Sequence, residues 1–195
     1  MRELNSIQER ILDKTLYLIG VTGSFNVSVR TIVKEASVNV SAINYYFGNK
    51  ENLLTQVKEF YIENTLSAYQ MIENTALPPE ERLIIASNEI MEYAIRYPGI
   101  MVILKEARKN SSLDPLDEKI LKITNEVNSK LLRLLEDTLN TSGEDLSFKN
   151  TVFMSSILYP LLNSEPVGYR NTDLFNKDTR IKYIQMLLNQ LKNHN

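Results

Sequence analysis

Residues 28–54, SVRTIVKEASVNVSAINYYFGNKENLL, write two short helices joined by a tight polar turn. Val29, Ile32, Val33 and Ala36 recur at helical spacing, and Ser28 supplies a capping oxygen just before them. The run breaks at Ser37-Val38-Asn39, where Asn39 is placed to cap a second helix. On that second helix Ile43 and Phe47 point one way, while Ser41, Asn44 and Tyr45 point nearly the opposite way. One face is built for a core and the other carries small and hydrogen-bonding side chains. The pattern is that of a helix-turn-helix whose second helix reads DNA.

Several residue groups carry a resemblance to a known family. Val29-Arg30, Ile32, Lys34-Glu35-Ala36, Val38, Ile43, Tyr45-Tyr46-Phe47 and Asn49-Lys50-Glu51, followed by Leu53-Leu54, make the stretch similar to the DNA-binding segment of TetR-family transcriptional regulators. Gly23 and Phe25 fall where that family turns from its first helix into its second. Three positions depart from the usual pattern. Ser37 replaces the customary glycine of the turn, Asn44 a common aromatic residue, and Val40 the lysine of many members. All three lie at or near the DNA face. The resemblance implies an all-α protein that binds a palindromic double-stranded operator as a homodimer. It also implies a larger helical domain that takes a small effector.

Composition narrows the alternatives. Cysteine is absent, which excludes disulfides, thiol nucleophiles and thiolate metal sites and is compatible with a reducing cytoplasm. The one histidine, His194, is next to last, and a frayed end is expected there rather than a ligand. No apolar run reaches the length of a membrane span, and the charged start MRELNSIQERILDK does not read as a secretory signal. A cytoplasmic protein with no membrane contact is expected. Carboxylates such as Glu92 and Glu106 are scattered without an acid–base pair, and the six glycines form no phosphate loop. No enzyme activity, metal or cofactor is expected.

The net charge of −2 is unevenly spread. Residues 1–58 hold Arg2, Arg10, Lys14, Arg30, Lys34, Lys50 and Lys58 against Glu3, Glu9, Asp13, Glu35 and Glu51, a net of +2. The remainder therefore carries −4. Such a chain should bind DNA through a few placed contacts rather than as a polycation.

Helical periods run along the whole chain. A first helix along Ile7, Ile11, Thr15 and Leu18 should end near Gly20 to Gly23. Asn49 should cap a long helix from Lys50 to about Asn74. Others are expected from Pro79 to Tyr97, Ile100 to Lys109, Pro115 to Asn140, Phe148 to Leu162 and Asp178 to Lys192. A segment rich in Asn, Pro and Gly precedes the last. The expected division is a three-helix DNA-binding domain over 1–50 and a helical effector and dimerisation domain over 51–195.

Side-chain chemistry assigns roles on the DNA face. Ser41 and Asn44 are the base-edge candidates, since asparagine can bond adenine N6 and N7 together, and Ala42 is small enough to meet a thymine methyl. Ser28, Tyr45 and Tyr46 suit phosphate oxygens, and Lys50 adds its charge to the dipole of the helix it opens. Asn39 and Val40, at the start of the reading helix, complete the set. Arg30, with Lys34, is either a phosphate contact or part of a solvated face.

Farther along, Met91, Tyr93, Tyr97, Met101, Phe153, Met154 and Ile157 are either core or the lining of an adaptable pocket for a hydrophobic or aromatic effector. Tyr93 and Tyr97, four apart, should share a helix face. The apolar stripes through Leu158 and through Ile184, Leu187, Leu188 and Leu191 could be buried within one subunit or form a four-helix contact between two. The reading that follows is a sequence-specific regulator, expected to be a repressor released by a small molecule. The competing reading is a non-catalytic helical module that binds a protein or lipid.

Overall fold

A computed structural model describes residues 6–68, 70–162 and 173–193. His194 and the Asn/Pro/Gly-rich segment over 163–172 lie outside them. Among the described residues the structure is all-α. Its helices are α1 (Ile7–Thr22), α2 (Val29–Glu35), α3 (Val40–Phe47), α4 (Lys50–Ala68), α5 (Pro79–Arg96), α6 (Ile100–Asn110), α7 (Pro115–Leu139), α8 (Gly143–Leu162) and α9 (Lys177–Lys192), with a 3-10 turn at Gln70–Glu73.

Two compact units emerge, Met1–Ser67 with Tyr97–Thr124, and Ala68–Arg96 with Asn125–Asn195. They divide the chain elsewhere than after residue 50. In the first unit, Ser6 caps α1 by accepting the Glu9 N–H at 3.1 Å. Gly23 closes that helix in the left-handed region, while the Ser24 N–H reaches the Ile19 carbonyl at 3.2 Å. The unit also holds the first part of α7 and all of α6, and side-chain bonds explain why. The Tyr97 hydroxyl donates to Asp13 Oδ1 at 2.5 Å, and Lys58 Nζ donates to Asp114 Oδ2 and Asp117 Oδ2, both at 2.7 Å. Asp114 and Asp117 also sit around the N-terminus of α7, where negative charge is favoured.

The α1–α6 contact in this unit is glycine against glycine. A Cβ on Gly99 would lie 2.6 Å from both the Cα and the N of Gly20, and one on Gly20 would lie 2.9 Å from Gly99 Cα. Only hydrogen fits between these backbones.

The second unit is organised by α5, which packs against both α8 and α9. Met91, Phe153, Ile157, Ile184 and Leu188 lie in one buried cluster with the apolar face of α7 from Val127 to Leu139. Arg180 on α9 is buried with them and fully engaged. It donates to Asn88 Oδ1 at 3.0 Å, to the Leu174 and Phe175 carbonyls at 3.1 and 2.9 Å, and to Glu92 Oε2 at 2.9 Å.

Three boundaries differ from expectation. Helix α4 stops at Ala68 rather than near Asn74. Helix α8 begins at Gly143, five residues before Phe148, because Glu144 and Asp145 form an acidic first turn. Helix α5 ends at Arg96, since Pro98 disfavours helical geometry at Tyr97. Tyr93 and Tyr97 consequently do not share a helix face.

Candidate nucleic-acid interface

The interface is assembled from caps. Ser28 Oγ accepts the Thr31 N–H at 3.1 Å and starts α2, and Asn39 Oδ1 accepts the Ala42 N–H at 3.2 Å and starts α3. Ser37 between them takes φ +52°, the left-handed geometry that explains why glycine is usual at this position. Ile43 and Phe47, each 2% exposed, anchor the inner face of α3. At its far end Asn52 Nδ2 donates to the Phe47 carbonyl at 2.8 Å, and Asn49 Oδ1 accepts the Asn52 N–H at 2.8 Å to cap α4. Each cap replaced by alanine would cost about 1 kcal/mol, so the two that start α2 and α3 weigh heavily on helices of seven and eight residues.

Clamped this way, α3 turns one face out. Val40, Ser41, Asn44 and Tyr45 are all exposed, Val40 to 51% and Tyr45 to 82%. Their spacing of one, three and four residues puts them on a single surface. Tyr46 is half-buried and stacks edge-on with Tyr45, ring centroids 4.8 Å apart at 89°. Ser28 and Arg30 on the α2 side are exposed, and Lys50 is half-buried at the start of α4.

Two expectations change in detail. Asn39 does not present a free acceptor, because its oxygen is occupied by the cap and also accepts the Ser41 hydroxyl. Ser41 therefore offers lone pairs, not a proton, to anything outside. Ala42 is half-buried, and Val40 is the more exposed apolar side chain.

This segment also matches known proteins. The family model described as bacterial regulatory proteins of the tetR family matches residues 11–57. Residues 11–57 thus resemble the DNA-binding segment of that family. Among curated relatives, an uncharacterized HTH-type transcriptional regulator in the dhlA 5′ region of Xanthobacter autotrophicus is 32% identical over 63 residues. The probable HTH-type transcriptional regulator YttP of Bacillus subtilis (strain 168) is 40% identical over 57 residues. The aligned parts cover 32% and 29% of this chain, and the chain spans only 31% and 28% of those relatives' lengths. Over the whole chain the likeness is one of fold. The ketosteroid transcriptional regulator KstR2 of Mycobacterium tuberculosis superposes with a TM-score of 0.71 at 17% identity, covering 96% of each chain.

The other predicted residues are placed as follows. Met91, Phe153 and Ile157 are buried in the second unit, with Tyr93 also buried on α5 and Met154 packed at the edge of the same cluster. Tyr97 and Met101 belong to the first unit, Tyr97 bonded to Asp13 and Met101 exposed on α6. Ile184 and Leu188 are 0% exposed, Leu187 and Leu191 are buried, and Leu158 packs against the same cluster. Four of these are buried within the subunit, and Leu158 is partly buried at the edge of the cluster. The exposed apolar residues of these helices are others: Phe148, Val152 and Tyr159 along one side of α8, and Met186 on α9. A helical wheel of α8 alone could have separated the two sets, since Phe148, Val152 and Tyr159 fall off the Phe153–Ile157 stripe.

Among the described residues, no group of three or more His, Cys, Asp or Glu side chains is arranged to hold a metal ion, and no helix is long and apolar enough to cross a membrane.

Proposed function

We propose that the chain is a sequence-specific DNA-binding transcriptional regulator, a repressor that leaves its operator when a small molecule binds. The carrying observation is the outer face of α3, where Val40, Ser41, Asn44 and Tyr45 stand exposed on a helix held at both ends. A helix of this size fits the major groove with its N-terminal residues on base edges, while phosphate contacts fall to Ser28, Arg30, Tyr45, Tyr46 and Lys50. The test is binding of the full chain to DNA upstream of its own gene at physiological salt. Unrelated DNA should fail to compete; equal competition would overturn the reading.

One α3 covers too few base pairs to discriminate well, so two copies are required about one DNA turn apart, roughly 34–36 Å. We place the homodimer contact on the exposed side of α8 and α9, through Phe148, Val152, Tyr159 and Met186, in place of the buried leucines. The effector would lie in the second unit, domain 51–195 serving that role and 1–50 the DNA. Met91, Tyr93, Phe153, Met154 and Ile157 supply an apolar surround. Ser87 Oγ, buried on α5 one turn before Met91 and without a hydrogen-bond partner, supplies a polar handle. This favours hydrophobic or aromatic compounds over sugars or phosphates. To act, the compound must prefer the conformation that does not bind DNA, and a hundredfold preference corresponds to about 2.7 kcal/mol.

A further inference from the structure

The outer face of α3 contains one side chain with nothing polar to offer. Val40 is the first residue of the helix, is 51% exposed, and makes no hydrogen bond or ring contact with another element. Its neighbours are differently occupied. Asn39 has its oxygen taken by the cap, Ser41 gives its proton to Asn39, and the Ala42 methyl is half-buried. Asn44, one turn beyond Val40, keeps a complete amide for a base edge.

The position carries no positive charge, so it adds nothing to phosphate affinity. A valine is also a poor choice for an exposed helix start on propensity alone. What it supplies is a pair of methyl groups at the end of the helix that goes deepest into the groove. The major-groove edges of the four base pairs display donors, acceptors and a single apolar group, the C5 methyl of thymine.

We infer that Val40 is a specificity-determining residue that selects a thymine in each half-site by packing against its C5 methyl. This rests on α3 being the DNA-reading helix. A base bearing no methyl at that position leaves Val40 facing water and the groove floor, so the discrimination arises from apolar contact and not from a hydrogen bond. A 5-methylcytosine presents the same group on a different pair.

The test uses duplexes selected by the full-length chain from a random-sequence pool. Each thymine of the selected duplex is then replaced, one at a time, by deoxyuridine, which removes only the methyl. At one position per half-site the wild-type chain should lose affinity by about fourfold, as expected for one buried methyl. Val40→Ala should bind the thymine and deoxyuridine duplexes equally there. At that position cytosine and 5-methylcytosine should be distinguished by the wild type and not by Val40→Ala. Val40→Thr, which keeps the shape, should retain part of the discrimination and guards against a folding defect, with helicity checked by circular dichroism. A flat deoxyuridine scan, or a Val40→Ala protein with undiminished sensitivity, overturns the inference while leaving DNA reading intact. A pool that yields no enriched sequence sinks both.

Discussion

Helices α3 and α9 begin alike and are used in opposite ways. Each is capped by an asparagine, Asn39 accepting the Ala42 N–H at 3.2 Å and Asn176 accepting the Thr179 N–H at 3.1 Å. Past the cap, α9 turns its most polar side chain inward: Arg180 is buried and bonded to residues up to 92 positions away. Helix α3 turns its polar side chains outward, and none of Val40, Ser41, Asn44 or Tyr45 makes a side-chain hydrogen bond beyond its own helix and cap. A polar side chain satisfied within the subunit serves the fold. One left facing out from a rigid helix serves something that arrives later.

The contrast predicts a separation of effects, and the largest should come from α9. Arg180→Met removes the charge from a buried pair and strands Asn88 and Glu92, which should cost about 3–5 kcal/mol of stability in urea unfolding. A loss below about 1 kcal/mol would mean that α9 does not depend on its buried polar residue. Leu188→Asp should be comparably severe, because it puts a carboxylate into the second unit's core, whereas Met186→Asp should leave the subunit folded and yield monomers by sedimentation. If both variants unfold, or if Met186→Asp stays dimeric, the outer face of α9 is not the contact.

Asn44→Ala should behave in the reverse manner to Arg180→Met. Stability should change by no more than about 0.5 kcal/mol, while operator binding weakens by about 1–3 kcal/mol and preference relaxes at one base pair per half-site. Equal weakening on specific and non-specific DNA would make Asn44 a phosphate contact.

A smaller effect concerns the clasp between α4 and α7. Burial tends to lower the pKa of Lys58, but the hydrogen bonds and charges of Asp114 and Asp117 outweigh it and hold that pKa above the ordinary lysine value. The hydrogen bond from Lys58, then that from the Leu116 N–H, holds the Asp114 carboxyl below the usual carboxylate range. A carboxylate lowered in the folded state contributes stability that is present above its unfolded pKa, about 3.9, and is lost as pH falls through the folded value. The raised Lys58 contributes below its unfolded pKa and loses that contribution only in strong alkali. Urea midpoints of wild type and Lys58→Met should therefore converge as pH drops below 4, and parallel curves would show that the clasp is not electrostatic. The smallest expected change is a gain: Ser37→Gly relieves a left-handed serine and should stabilise by about 0.5–1 kcal/mol in thermal melts.

The same contrast explains what could be read from the residues alone. Caps, the turn and the two faces of α3 depend on side chains at most five positions apart, from Ser28 with Thr31 to Phe47 with Asn52, and a linear pattern displays such pairs. The bonds joining Asp13 to Tyr97, Lys58 to Asp114, and Arg180 to Asn88 and Glu92 span 56 to 92 positions and have no local signature. The stripe through Ile184, Leu187, Leu188 and Leu191 was visible as apolar, but which surface it met was decided by α5. Helix α8 began early because Gly143, at φ +66°, looks like a terminator and here stands at the start of a helix.

The glycine pair at 20 and 99 gives the first unit a mechanical property. Side chains between two helices act as springs, because rotamers yield before backbones do. Here there are none, and the main chains of α1 and the first turn of α6 bear on each other directly. A displacement pushing the start of α6 toward α1 cannot be taken up locally and passes undamped into α1, the helix that packs on α2. Adding one methyl at either glycine would wedge the joint open, so positions 20 and 99 together set how faithfully a push is carried.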